Sequence, residues 1–485
     1  MKGNIKYLSL IAIILLISHT RSLSSEPSVF SENNTEADIE DMHAVLMHMN
    51  IPLLEINTVD GEEPTCDVAS PPEGAWGSGI TNATKVPASM KIIKNGETLY
   101  DSGEFVNKES GLTLKIRGNT SAKKQKKPYK LKLQKKSDLL LRDDKKYKDK
   151  DWVLLRTGAS LITPIGFWTS ELFEQEWTPA HEIVNVWMNG TYRGLYILCE
   201  QVTVNPDSRI NIDKNEGYVV ECDAYWWTED IYFPSSLIES GMKFTYKYPD
   251  PDDITEEWHQ AVSSDVIARE ASISNGTYDE YYDCESFAKW LIAWDLLGGV
   301  DMGGANIYMV KKDAYSKITM GPLWDFDQAL KLENAWISGH YNDIFYFHRM
   351  LESDNDSFRK AFYNVWREKG QTVTDGLIER INAFADSPAA ADYQRSLDLQ
   401  EECGISVDSW QPYVGDLEFM RDYSTEYLAK RAEWINAKIN EVTGVCDVTV
   451  DDQKQEETFD ILGRKISNDT PGVQIRTGKK IFVRP

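Results

Sequence analysis

The spacing of hydrophobic positions changes near the middle of the chain. From Ile51 onward the runs IPLLEINTV, MKIIKNG, LTLKIRG and YKLKL place apolar residues at alternate positions, and Gly, Asn and Pro separate them. That is the pattern of short strands with one buried and one solvated face. A β-rich first half, mainly antiparallel, is predicted. Residues 161–176 read as a helix, and EIVNVWMNGTYRGLYILCEQV reads as two strands around Asn189-Gly190, which suit the positive φ of a tight hairpin turn. GYVVECD is a further strand. Beyond about Asp283 the period lengthens: Phe287, Trp290, Leu291, Trp294 and Leu297 fall at helical spacing, and Gly298-Gly299 supplies a stop. IYMVKK and SKITMG form a predicted hairpin, while SFRKAFYNVWREKG, TDGLIERINAFAD and DLEFMRDYSTEYLAKRAEWINAKINEV are predicted helices. The pattern gives an α+β chain, strands first and helices second.

The two ends differ from this body. Lys2 and Lys6 flank or precede an apolar run over residues 7–17, followed by small and polar residues, so residues 1–25 are expected to be a signal peptide cleaved between Ser18 and Glu26. The run is shorter than the roughly 20 apolar residues that span a bilayer. Residues 26–49 read as a polar leader, 50–445 as the main domain, 446–457 as an acidic linker and 458–485 as a small strand-rich tail ending in basic residues. Cys66, Cys199, Cys222, Cys284, Cys403 and Cys446 contain no C-x-x-C pair, which argues against a zinc site. In an exported chain their even number favours disulfides, with Cys199 and Cys222 as possible neighbours and buried free thiols as the alternative.

Composition narrows the function. The 485 residues are 41% hydrophobic and 27% charged, within the globular range. A net charge of -25 opposes general nucleic-acid binding. The island over residues 115–136 therefore stands out: Lys115, Arg117, Lys123, Lys124, Lys126, Lys127, Lys130, Lys132, Lys135 and Lys136 occur there with no acid. Between its two strands, Gly118, Asn119, Thr120 and Ser121 form a predicted turn whose N-H groups and hydroxyls could receive phosphate oxygens while lysines neutralise them. The alternative is a solvated hairpin whose lysines protect its edge.

A second concentration of chemistry lies over residues 285–330. A helix ends at Gly298-Gly299, Asp301 follows in a glycine-containing loop, Asn306 lies five residues on, and a hairpin leads to Asp325 and Asp327. Protein kinases use this order: one carboxylate orients the hydroxyl nucleophile, and an amide oxygen with a second carboxylate holds Mg2+ against the triphosphate. Taken singly, D-x-x-x-x-N is a weak pattern, and WDFD is also compatible with a turn in which Asp325 caps a helix. His181 in HEIVN lacks the second His of a zincin, and no G-x-S-x-G elbow occurs. Tyr225, Trp226 and Trp227 fit core or edge packing better than a sugar platform.

The segments LKIRGNTS with KKPYKLKL, DWVLL, VNVWMNGTYRGLYILCEQV, GYVVECD, FTYKYPD and MGPLWDFD resemble, in this order, the motifs of the CotH kinase-like family, related to spore coat CotH. The resemblance runs from about Ile51 to Asn440. It implies an atypical, protein-kinase-like fold of two lobes, a β-rich N-terminal lobe and a mostly helical C-terminal lobe. It further implies Asp301 as the active-site Asp and Asp325 as the metal-binding Asp of WDFD, both expected catalytic; the kinase order of residues adds Asn306 as a ligand for Mg2+ or Mn2+, and Asp327 offers one more oxygen. The nucleotide-phosphate region would comprise Arg117, Gly118, Lys127, Lys130 and Lys132, with Glu200 pairing Lys130 or Lys132. The cofactors would be ATP and the divalent metal, and the partner a protein substrate. Two departures stand out: RTGASLITPIG follows DWVLL where many relatives have an Asp- and Arg-containing segment, and QALKLENAW follows WDFD. The tail FDILGRKISNDTPGVQIRTGKKIFVRP is similar to C-terminal sorting modules of Bacteroidetes secretion substrates, implying a secreted or cell-surface location. A non-catalytic surface-binding or adhesive protein on the same scaffold is the alternative, and a carbohydrate-active enzyme a weaker third.

Overall fold

The computed structural model describes residues 36–75, 77–301, 305–337, 345–406 and 415–443, together with four short strands between Thr458 and Val483. The expected signal peptide, the acidic linker and Cys446 lie outside the described residues. The chain divides into two compact units, Met1–Glu433 and Trp434–Pro485.

The first unit begins with helix α1 (Glu36–Met47), inside the segment expected to be a polar leader. Its acids conceal an apolar edge: Leu46 and the following Met49 are buried against Leu53, Ile93, Trp187, Tyr192, Leu399 and Ile405. Strands follow as β1 (Leu53–Thr58), β2 (Asp67–Ala69), β3 (Gly79–Thr81), β4 (Val86–Lys94), β5 (Glu97–Asp101), β6 (Leu112–Ile116), β7 (Tyr129–Ser137) and β8 (Asp149–Leu155). After α2 (Ile162–Leu172) come β9 (His181–Met188) and β10 (Thr191–Glu200). The main sheet runs β1-β9-β10-β8-β7-β6-β4-β5, and β1 also pairs with β4. Those pairings close seven strands into a barrel, with β5 attached outside β4. Closure leaves the seven without a free edge, a solution that alternating patterns favour. Leu54, Ile56, Met90, Leu112, Leu114, Leu131, Trp152, Leu154, Val184 and Leu198 are among the side chains filling it. All the barrel pairings are antiparallel except β1 with β9. Asn189 (φ 50°) and Gly190 (φ 75°) make the β9–β10 turn.

A second sheet combines β11 (Tyr218–Asp223), β12 (Tyr232–Pro234), β13 (Lys243–Tyr248), β14 (Ile307–Lys311) and β15 (Ile318–Met320) in the order β12-β13-β11-β14-β15. Helices α3 (Glu256–Asn275) and α4 (Cys284–Leu297) precede β14, and α5 (Phe347–Glu352), α6 (Ser357–Ala385), α7 (Ala389–Glu402) and α8 (Leu417–Thr443) follow β15. Two segments that read as separate helices form the single α6, because Gly370 lies within the helix and makes room for the Trp366 ring. Helix and strand content is thus mixed.

Disulfides are not formed among the described cysteines: Cys66, Cys199, Cys222, Cys284 and Cys403 are free. Cys199 and Cys222 are both buried, one on the barrel strand β10 and the other on β11 of the second sheet. No described helix is long and apolar enough to cross a membrane. In the second unit β16 (Thr458–Asp460), β17 (Lys465–Ile466), β18 (Gly472–Arg476) and β19 (Lys479–Val483) form an antiparallel sheet in the order β17-β16-β18-β19.

Candidate active site

Helix α4 ends where Gly298 takes the left-handed conformation (φ 55°) and its N-H caps Asp295 and Trp294 carbonyls. The chain then turns into the loop carrying Asp301. That loop is tied to the segment after Asp327: Val300 N donates to Gln328 O at 3.2 Å, Leu330 N to Leu297 O at 2.6 Å and Leu332 N to Gly298 O at 3.0 Å. Two polypeptide segments separated in sequence are thereby joined at their bases, which places their acids together.

Asn306, Asp325 and Leu330 all have positive φ, at 68°, 68° and 57°. Left-handed backbone at non-glycine residues carries a cost that clusters at functional sites. Asn306 Nδ2 donates to Asp325 Oδ2 at 3.4 Å, and its backbone N-H donates to Glu221 Oε1 at 2.9 Å. Asp325 opens to solvent, yet the protein packed around it, and then the charge of Asp301, lift its pKa above the usual carboxylate range. Arg117, Arg156 and the Asn306 amide work in the opposite direction. Asp301, also exposed, is raised first by its protein surroundings and then by Asp327, against the charge of Lys331. Carboxylates close enough to raise one another favour a proton or a cation.

Opposite these acids is the exit of β6. Arg117 lies with its guanidinium 5.7 Å from the Trp324 ring centre, one residue from Asp325. Gly118 follows at φ 79°, where a Cβ would strike Ser121 Oγ. The Thr120 hydroxyl meets the Tyr225 hydroxyl at 3.1 Å, so the aromatic triplet contributes a brace to this turn. The order of motifs in the sequence has thus brought Arg117, Asp301, Asn306, Asp325 and Asp327 into one electrostatic neighbourhood.

The lysines are distributed differently. Lys127 Nζ donates to Ala122 O at 2.8 Å, Lys130 pairs with Asp151 at 3.1 Å, and Lys132 is exposed on the outer face of β7. Lys126, part of the basic island but not among the expected nucleotide contacts, is buried and donates to Leu195 O and, at 2.9 Å, to Gln400 Oε1. Glu200 does not meet Lys130 or Lys132. It is buried at the end of β10, where Arg142 pairs with it at 2.8 Å and Ala180 N donates to it at 3.1 Å. The correction has a simple cause: a buried carboxylate takes the guanidinium that the 138–142 turn delivers, since Arg142 is itself held by Asp138 at 2.9 Å.

Three participants escaped the sequence reading. Arg156 begins the divergent RTGASLITPIG segment and still places a positive charge on Asp325. Lys331, in QALKLENAW, does the same for Asp301. Glu221 was legible only as an acid inside the apolar run GYVVECD, and an acid in such a run is the signal that could have found it.

The chain matches the protein family described as CotH kinase protein over residues 114–423, well over half its length. It belongs to the CotH kinase protein family. The match spans β6 through the first turns of α8, and so contains every acid and arginine of the neighbourhood just described. Among solved structures the chain is similar to a Helicobacter pylori proinflammatory kinase, CtkA, with 11% identity, 78% of this chain and 97% of that chain covered, and a TM-score of 0.28. Among curated proteins none matches. Membership of the family makes this a kinase-like protein.

Proposed function

We propose that this chain is a phosphotransferase moving the γ-phosphoryl group of ATP to a hydroxyl of a protein, with Mg2+ or Mn2+. One observation carries the reading: Asn306 meets Asp325 beside Asp301, opposite Arg117 and its glycine turn, in a member of a kinase protein family. The donors suit a hard cation. Asp325 and Asn306, with Asp327 close to Asp301, offer only oxygen ligands, and few enough that a magnesium ion would keep positions for water and phosphate. In this reading the Asn306 amide oxygen joins the ligand set, because its side chain already meets Asp325. The bound metal would supply charge neutralisation for the phosphate oxygens.

The chain's own residues divide the remaining work. Asp301 is exposed and has its pKa raised, so its carboxylate is accessible to a substrate hydroxyl and a stronger base toward its proton than an unperturbed aspartate. Arg117 and Arg156 attract the triphosphate, and the Gly118 turn lets backbone N-H groups approach it. In this reading the barrel serves as the N-terminal lobe and the second sheet with its helices as the C-terminal lobe, with nucleotide between them. Export by the 1–25 segment and sorting by the 458–485 tail would place the kinase outside the cell or on its surface.

The test is transfer of label. Purified protein incubated with labelled ATP, Mg2+ or Mn2+ and generic protein substrates is expected to phosphorylate them or itself, and Asp325→Ala is expected to abolish the signal. Label persisting unchanged in the variant would refute the site assignment.

A further inference from the structure

Strand β11 is buried along its whole length, and within it Glu221 is 4% exposed. An acid in such a position is costly unless it is paired and hydrogen-bonded. The strand itself does not need it: backbone pairing already sets Glu221 opposite Thr245 on β13 and Tyr308 on β14. What the carboxylate adds lies at its two oxygens. Oε2 is 2.6 Å from Lys247 Nζ, and Oε1 accepts the backbone N-H of Asn306 at 2.9 Å.

Asn306 is the residue that needs holding. It sits immediately before β14 in a left-handed conformation, with its side-chain amide 3.4 Å from Asp325. Asparagine tolerates that backbone better than most residues but does not enforce it. A fixed external acceptor does, and a charged acceptor forms a stronger bond than a neutral one.

We propose that Glu221, neutralised by Lys247, is a positioning residue for the divalent metal: it fixes the backbone of Asn306 so that the Asn306 amide and the Asp325 carboxylate are presented together. The proposal rests on the metal reading of the previous section. It adds β11 and β13 to the machinery, so that a partly buried salt bridge on the second sheet sets the affinity of the ion without touching it.

The experiment measures Mn2+ binding to the full chain by calorimetry, with a non-hydrolysable ATP analogue present so that no turnover is required. Glu221→Ala is expected to weaken Mn2+ binding at least tenfold. Glu221→Gln, which retains an oxygen able to accept from Asn306, is expected to weaken it less than threefold. In transfer assays Glu221→Ala should raise the metal concentration for half-maximal rate while leaving kcat at saturating metal within threefold. Glu270→Gln is the control, because Glu270 is equally buried but bonded to Ser235, Ser236 and Tyr346. It should lower Tm with no change in Mn2+ affinity. If Glu221→Ala fails to fold, Glu221→Met fills the space and is read in its place. Parent-like Mn2+ affinity in Glu221→Ala, with affinity lost in Asp325→Ala, would overturn the positioning role alone; parent-like affinity in both would overturn the metal site as well.

Discussion

Asp295 and Asp325 are two carboxylates lifted above the usual range by surrounding protein, and they are treated in opposite ways. Asp295, in the last turn of α4, is fully buried, accepts from Ile337 N at 2.8 Å and lies 3.4 Å from Arg431 of α8. Arg431 also donates to Asp295 O, Glu333 O and Ala335 O at 2.7–2.9 Å, and Tyr423 and Tyr427 donate to Leu330 O and Leu332 O at 3.0 and 2.7 Å. One helix face thus straps down the segment that follows Asp327. Among the described residues Asp325 has only the long bond from Asn306, and the charge that affects it most is another acid, Asp301. A carboxylate that holds the fold is given a backbone donor and an arginine, both at one of its oxygens; one kept for a ligand is left beside a like charge.

The sharpest way to break the comparison is to remove each acid's side of it. Asp325→Ala should reduce kcat for phosphoryl transfer by about 10³-fold or more, the scale of losing a key electrostatic group, while Tm stays level or rises because a like charge is gone. Arg431→Ala should do the reverse in kind. It strands Asp295 and three carbonyls, and breaking a buried pair costs about 3–5 kcal/mol, measurable by urea unfolding. A Tm loss for Asp325→Ala as large as that for Arg431→Ala would erase the distinction.

A pH titration sharpens it. Burial outweighs Arg431 and pushes the Asp295 carboxyl up to about 7, from an ordinary value of 3.8. Between those two values the folded chain binds a proton that the unfolded chain has released, so stability should fall as pH rises from about 4 to about 7. Asp295→Asn should flatten that part of the Tm profile. A parallel profile in parent and variant would show that Asp295 is ionised in the fold.

Much of the fold was written in local periodicity, and what was missed depended on distant partners. Alternation in LTLKIRG and YKLKL was enough for β6 and β7, but barrel closure depends on β1 pairing with both β4 and β9, which no local pattern reports. Helix α3 was overlooked because Glu270 occupies a buried position on the same helix as Val262, Val266 and Ile273. At the site the same rule holds. Asp301, Asn306 and Asp325 were legible because their order along the chain is itself the signal. The lysines were not assignable, because side chains and carbonyls far away in sequence compete for them: Asp151 takes Lys130, and Leu195 and Gln400 take Lys126. RTGASLITPIG departs from the Asp- and Arg-containing segment of relatives, yet its first residue supplies a charge to Asp325.

The smallest effects separate the cations that face Asp325 from those that only share its neighbourhood in sequence. Arg117 is half-buried by Trp324 and its charge reaches Asp325, so a triphosphate held by the acids' metal would lie within its influence. Arg117→Ala should weaken ATP binding by about 1–3 kcal/mol, the scale of a charge-assisted hydrogen bond. Lys132 lies opposite Thr113 on β6 and is exposed on the barrel's outer face. Solvent and salt screen such a charge, so Lys132→Ala should change ATP affinity by less than about twofold, as should Lys124→Ala near the turn. Calorimetric titration of ATP with Mg2+ into the three variants decides the matter. A loss in Lys132→Ala equal to that in Arg117→Ala would move phosphate recognition from the end of β6 to the outer wall of β7, and the acids would then need a different account of what they face.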